Sequence, residues 1–72
     1  MKNTIYLIGK ELAQHDFKKY GYDSTLNTYI NYMEDPIIDY YDENTKEKIK
    51  GYCDGFAEIM IEVQNGYYEE VS

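Results

Sequence analysis

The sequence predicts an all-α fold, a small three-helix bundle with or without a short fourth helix after Pro36. Three observations predict it. Apolar residues recur at steps of three and four over residues 45–64 and again over 25–34. Glycine or Asp-Pro punctuation closes each candidate helix. The 72 residues leave room for one compact domain and no second module.

The first helix is expected from about Asn3 to Tyr20. Ile5, Ile8, Leu12, Ala13 and Tyr20 share one broad face, Leu12 to Lys19 is rich in helix formers, and Gly21 ends the element. The alternative is an α+β fold with an N-terminal strand, because Thr4 to Ile8 has strand character and Gly9 is placed to break a helix.

Thr25 to about Glu34 forms the second helix, with Ser24 as its N-cap and Leu26, Tyr29, Ile30 and Met33 on one face. Pro36 stops it, since proline lacks an amide donor and disfavours the helical conformation in Asp35. The same dipeptide begins the next element, with Asp35 as N-cap and Pro36 in the first position of a short helix or turn reaching Tyr41.

The third helix runs from about Thr45 to Gln64 and turns Ile49, Tyr52, Cys53, Phe56, Ile59, Met60 and Val63 inward. Asn44 is its expected N-cap, with Glu47 reaching back, and Asn65-Gly66 supplies the left-handed geometry that ends it. Residues 67–72 are expected to be a flexible acidic tail.

Fourteen acidic residues against seven lysines, with no arginine, give a net charge of −7. Direct binding to nucleic acid is disfavoured, because it depends on neutralising phosphates. Anionic membrane surfaces are disfavoured for the same reason, and no apolar run approaches the roughly 20 residues of a membrane span. A cytoplasmic address is expected. The lone Cys53 excludes an internal disulfide and fits a reducing compartment. One cysteine and one histidine cannot furnish a standard zinc site, so neither metal nor cofactor is expected.

Catalytic readings fare poorly. Cys53 on the apolar stripe reads as a packed thiol, and His15 as a surface residue whose neighbour Asp16 points to another side of the helix. A calcium loop starting at Asp42 fails at Lys46 and at Glu47, where glycine is required. Asp35 and Asp39 resemble a glycosidase pair only in spacing, for so short a chain offers little surface for a cleft. The expectation is a protein that is not an enzyme.

The charge is segregated. From Tyr20 to Thr45 the chain carries Asp23, Glu34, Asp35, Asp39, Asp42 and Glu43 with no lysine, and from Gly51 onward it is again purely acidic. Asp54, Glu58 and Glu62 recur every fourth residue, forming one stripe on the third helix at spacings where like charges repel by about 0.2–0.5 kcal/mol per pair. Ten tyrosines accompany them. Tyr6, Tyr20, Tyr29 and Tyr52 fall on core faces, whereas Tyr22, Tyr32, Tyr40, Tyr41, Tyr67 and Tyr68 are harder to bury together. Tyrosine beside carboxylate suits protein recognition, because a rigid ring gives contact area while the acids meet Lys or Arg. The expected partner-binding residues are Glu34, Asp35, Asp39, Tyr40, Tyr41, Asp42, Glu43, Asp54, Glu58 and Glu62.

In size, acidity, lack of arginine and wealth of tyrosine, the whole chain resembles the small anti-defence proteins of bacteriophages and mobile elements, including anti-CRISPR and antirestriction proteins that mimic nucleic acid. The residues carrying the resemblance are Asp54, Glu58 and Glu62, Glu34-Asp35 through Asp42-Glu43, and Glu69-Glu70. It implies a non-enzymatic inhibitor that occupies the basic nucleic-acid-binding groove of a host protein such as a CRISPR effector. A duplex spanning roughly 30 Å carries about 18 charges, so a chain of net −7 imitates part of a footprint. The alternative is a small helical scaffold or homodimeric subunit whose core is completed on assembly.

Overall fold

Gly21 alone separates the first two helices. In the computed structural model, which describes residues 4–66, α1 covers Thr4–Tyr20 and α2 covers Tyr22–Met33. The φ of Gly21 is +94°, a conformation that side-chain-bearing residues avoid. Its N–H donates to the Phe17 carbonyl at 3.0 Å, and its own carbonyl accepts from the Thr25 amide at 3.3 Å and hydroxyl at 2.8 Å. Thr25 is thereby buried with its hydroxyl satisfied. The positive φ lets α2 begin earlier than expected, so Ser24 is not the N-cap; it lies in the first turn, where its carbonyl accepts from Thr28 Oγ1.

Thr4 to Ile8 forms the opening of α1, which removes the N-terminal strand. After α2 the connector makes a single 3₁₀ turn, Ile38–Tyr40, within the stretch from Pro36 to Tyr41 where a short helix or turn is expected. Asp35 accepts from the Ile37 amide at 3.0 Å across Pro36 and so shapes the turn that precedes it. The long helix α3 covers Glu43–Gln64. Its N-cap is Asp42, whose carboxylate accepts the Thr45 amide at 3.0 Å, and not Asn44. A charged oxygen two residues earlier captures the third amide of the helix and favours its positive end. At the far end Gly66, with φ +83°, carries the left-handed geometry alone, for Asn65 stays right-handed.

Pairings between helices fix the topology. Tyr6 meets Asp54 and Lys10 meets Glu58 at the same separation of 48 residues, so α1 and α3 run parallel. Tyr32 packs on Tyr52, while Tyr29 and Tyr22 pack on Phe56, so α2 runs antiparallel to α3. The result is an up-down-up three-helix bundle of 36 × 27 × 19 Å.

Its core is small and aromatic. Phe56 is fully buried, with Tyr22 and Tyr29 ring centroids at 5.4 and 5.3 Å, and Ala13, Tyr52 and Ile59 complete the centre. Tyr22 and Tyr32 therefore pack on the core rather than resisting burial. Tyr20, expected inside, is 58% exposed under the Lys19 ammonium, and Ile8, Ile30 and Met33 are exposed too.

On α1 the displacement accompanies a close backbone contact. The face that α1 turns to α3 is built on Gly9 and Ala13, opposite Gly51 and Gly55. A Cβ on Gly9 would lie 2.1 Å from the Lys48 carbonyl oxygen, and one on Gly51 would lie 2.0 Å from that of Tyr6. The two backbones touch, reciprocally, in the manner of Cα–H to carbonyl contacts between helices. Bulky residues of α1 are turned aside by that contact.

Candidate functional site

The acidic residues separate into those that hold the fold together and those left facing solvent. Asp54 accepts a hydrogen bond from the Tyr6 hydroxyl, and Glu58 accepts from the Lys10 ammonium at 2.8 Å. Both bonds tie α3 to α1. The expected carboxylate stripe of α3 is therefore engaged by the protein's own donors at Asp54 and Glu58, while Glu62 is half-buried.

The connector divides similarly. Asp35 accepts from the Ile37 amide and from the Tyr41 hydroxyl at 2.5 Å, and Asp42 caps α3. Glu43 is exposed and lies 3.5 Å from Lys46. Two backbone bonds, Tyr40 N–H to Ile37 O at 2.9 Å and Tyr41 N–H to Ile38 O at 3.2 Å, close the turn. The carboxylate at 35 and the ring at 41 thus lock a short loop on which Glu34, Ile37, Asp39 and Tyr40 are each exposed. Tyr40 is 86% exposed, Met33 62% and Ile37 51%. An aromatic ring this bare presents contact area on a backbone whose freedom the loop's hydrogen bonds already restrict.

The connector and the α3 stripe are not one continuous acidic path. Ile38 and Met33 share a groove with Asp54, but Lys46 and Lys50 line it as well. Of the ten residues expected to bind a partner, Glu34, Asp39 and Tyr40 are exposed on the connector, and Asp42 and Glu43 at the start of α3. Ile37 and Met33 are exposed as well; periodicity placed Met33 on the packed face of its helix, and its position at the end of α2, like that of Ile37 next to Pro36, was the available signal.

Other chemistry is sparse. Burial, and then the neighbouring Asp54, push the half-buried Cys53 thiol up, which keeps it protonated and weakly nucleophilic. Asp16 does not point away from His15: its Oδ1 lies 3.4 Å from His15 Nδ1, while Oδ2 accepts from Tyr52 at 2.8 Å. Among the described residues no cluster of three or more His, Cys, Asp and Glu side chains is arranged to hold a metal ion. No helix among them is long and apolar enough to cross a membrane.

The hydrogen bonds displace several pKa values in two directions. Asp35 is held below the ordinary carboxylate range by the Tyr41 hydroxyl and then the Ile37 amide, and Asp42 by the Thr45 hydroxyl and amide. Donation to Asp54 raises Tyr6, donation to Glu58 raises Lys10, and donation to Asp35 raises Tyr41. Tyr52 is raised by burial first and by Asp16 second. A depressed carboxylate stabilises the fold above its unfolded pKa, about 3.9, and that stabilisation is lost as pH falls through the folded value. A raised Tyr or Lys stabilises below its unfolded pKa, about 10, and the contribution is lost as pH rises through the folded value. The melting temperature should therefore be level between about pH 5 and pH 9 and fall on both sides, more steeply in alkali. Circular dichroism melts across pH check this; a melting temperature that rises above about pH 10 contradicts it.

No family model, curated protein or solved structure matches this chain.

Proposed function

We propose that this chain is a non-enzymatic binding protein that docks through its α2–α3 connector onto the basic, nucleic-acid-binding surface of another protein and blocks it. The observation that carries the reading is Tyr40, nearly bare beside Asp39 and Glu34 on a hydrogen-bonded loop, in a stretch from Tyr20 to Thr45 without a single lysine. Fixed carboxylates meet Lys or Arg, and Tyr40, Ile37 and Met33 supply desolvated contact area. The compositional resemblance to anti-CRISPR and antirestriction proteins makes a host defence nuclease, such as a CRISPR effector, the specific partner proposed. Partial imitation is the mode, since Asp54 and Glu58 already have internal donors.

The test is affinity capture from a bacterial lysate with identification of what elutes. A basic nucleic-acid-binding protein should be retained at low salt, released at high salt and displaced by added nucleic acid. Glu34→Lys with Asp39→Lys should weaken capture by about tenfold or more, as expected when rim charges oppose the partner. Reversal at Asp54 and Glu58 would also break the contacts with Tyr6 and Lys10, so it does not isolate binding. Capture that ignores salt, nucleic acid and the connector reversals sinks the reading.

A homodimer is the second reading, favoured by Leu7, Ile8 and Ile61, which are large, apolar and exposed on α1 and α3. Sedimentation at several concentrations separates the two, since a concentration-independent monomer leaves only the first.

A further inference from the structure

Behind Tyr41 the connector closes over a crevice of about 340 Å³ to which every helix contributes: Leu12 and Asp16 from α1, Tyr32 from α2, Lys48 and Tyr52 from α3. This is the lower end of the range, about 300–1,000 Å³, in which ligand sites fall, and it suits a single side chain better than a cofactor. Its chemistry is specific. A carboxylate, Asp16, lies among three phenol rings, and its side chain keeps 28% of its surface accessible.

We infer that this crevice is a receptor for one cationic side chain of the partner, an arginine guanidinium that enters beside Tyr41 to reach Asp16. Three observations favour a cation over an anion. Asp16 uses one oxygen for Tyr52 at 2.8 Å and makes only a long 3.4 Å approach to His15 with the other, so lone pairs remain for a bidentate donor. The Tyr41 hydroxyl donates to Asp35, which leaves its half-buried ring electron-rich toward a cation. Of the two charged residues that line the crevice, Lys48 is exposed, whereas Asp16 is half-buried in the wall. This deepens the proposed function and rests on it for the identity of the partner, while the crevice can be assayed on the isolated chain.

The probe is N-acetyl-arginine amide, titrated into the isotopically labelled protein and followed by amide NMR shifts, with N-acetyl-citrulline amide as the uncharged isostere. The arginine probe should give saturable shifts confined to Thr28, Tyr32, Tyr41 and Tyr52 and their chain neighbours, and the citrulline probe should give none. Asp16→Asn retains an acceptor for Tyr52 and should weaken binding about tenfold, the loss expected for one charged hydrogen bond. Lys48→Ala should leave binding unchanged or tighter. Equal response to both probes, shifts scattered over the surface, absence of saturable shifts, or loss of binding in Lys48→Ala would each overturn the assignment. If it is overturned while salt-sensitive capture through Asp39 persists, the acidic docking reading stands without the pocket; if capture fails while the arginine probe binds, the pocket stands and its partner class is wrong.

Discussion

Gly51→Ala should destabilise the protein by about 3 kcal/mol or more, although the same change on an open helix face would gain about 1 kcal/mol in helix propensity. The sign reverses because of what the added methyl meets. It would fall 2.0 Å from the Tyr6 carbonyl oxygen and 2.9 Å from the carbonyl carbon, and main chain cannot swing aside as a side chain does. The helices must part by roughly 1 Å, a gap that forfeits about a quarter to a half of each dispersion contact along the seam. Gly9→Ala should cost a similar amount, since its methyl would meet the Lys48 carbonyl at 2.1 Å. Gly55→Ala should be milder, because its nearest atoms stand at 3.0 Å. For a domain of this length, with a total stability of about 4–11 kcal/mol, the first two variants lose a large share of it. Urea unfolding followed by far-ultraviolet circular dichroism measures the series, and an alanine at 51 that matches or exceeds the parent would show that the backbones are not in contact.

Phe56→Ala is the other severe case, with an expected cost of about 3–5 kcal/mol. The side chain is fully buried, so its removal forfeits the transfer free energy of the ring and leaves a void ringed by Tyr22 and Tyr29. Those neighbours belong to α2, and losing the wedge between them and α3 loosens the helix that carries the connector. Phe56→Leu keeps much of the volume but loses the ring contacts, worth about 0.5–1.5 kcal/mol per pair, and should fall between the parent and the alanine variant. Thermal melts rank the three, and the near-ultraviolet tyrosine signal should weaken in the same order. Equal melting temperatures for all three would mean that Phe56 is not the centre of the core.

Periodicity made the three helices legible, and Gly21 and Pro36 marked their limits, because those signals are local. The N-cap of α3 was displaced because two side chains can compete for one helix start, Asp42 reaching the Thr45 amide before Asn44 has a role, whereas that of α2 moved because Gly21 starts the helix earlier. Gly9 was legible only as a breaker, and Gly51 and Gly55 carried no signal, since a helical glycine reads as a cost until the opposing backbone is known. The stripe of Asp54, Glu58 and Glu62 misled for the same reason. Its donors, Tyr6 and Lys10, stand 48 residues away, beyond any spacing argument. At the candidate site, the cluster of acid and tyrosine in the connector was readable as composition. Which carboxylates remain open, Glu34 and Asp39, and which are consumed, Asp35 and Asp42, depended on hydrogen bonds within the loop.

Joining the first helix to the last by backbone contact also sets an order of events during synthesis. While the ribosome is still extending the chain, α1 has no groove to enter, for Gly51 and Gly55 are made about 2–10 seconds after the residues they will touch, at 5–20 residues per second. The nascent chain must wait with its glycine face bare. The seam between α1 and α3 therefore closes late, once α3 has emerged, and a fragment ending before Ile59 lacks one of the buried residues of the core.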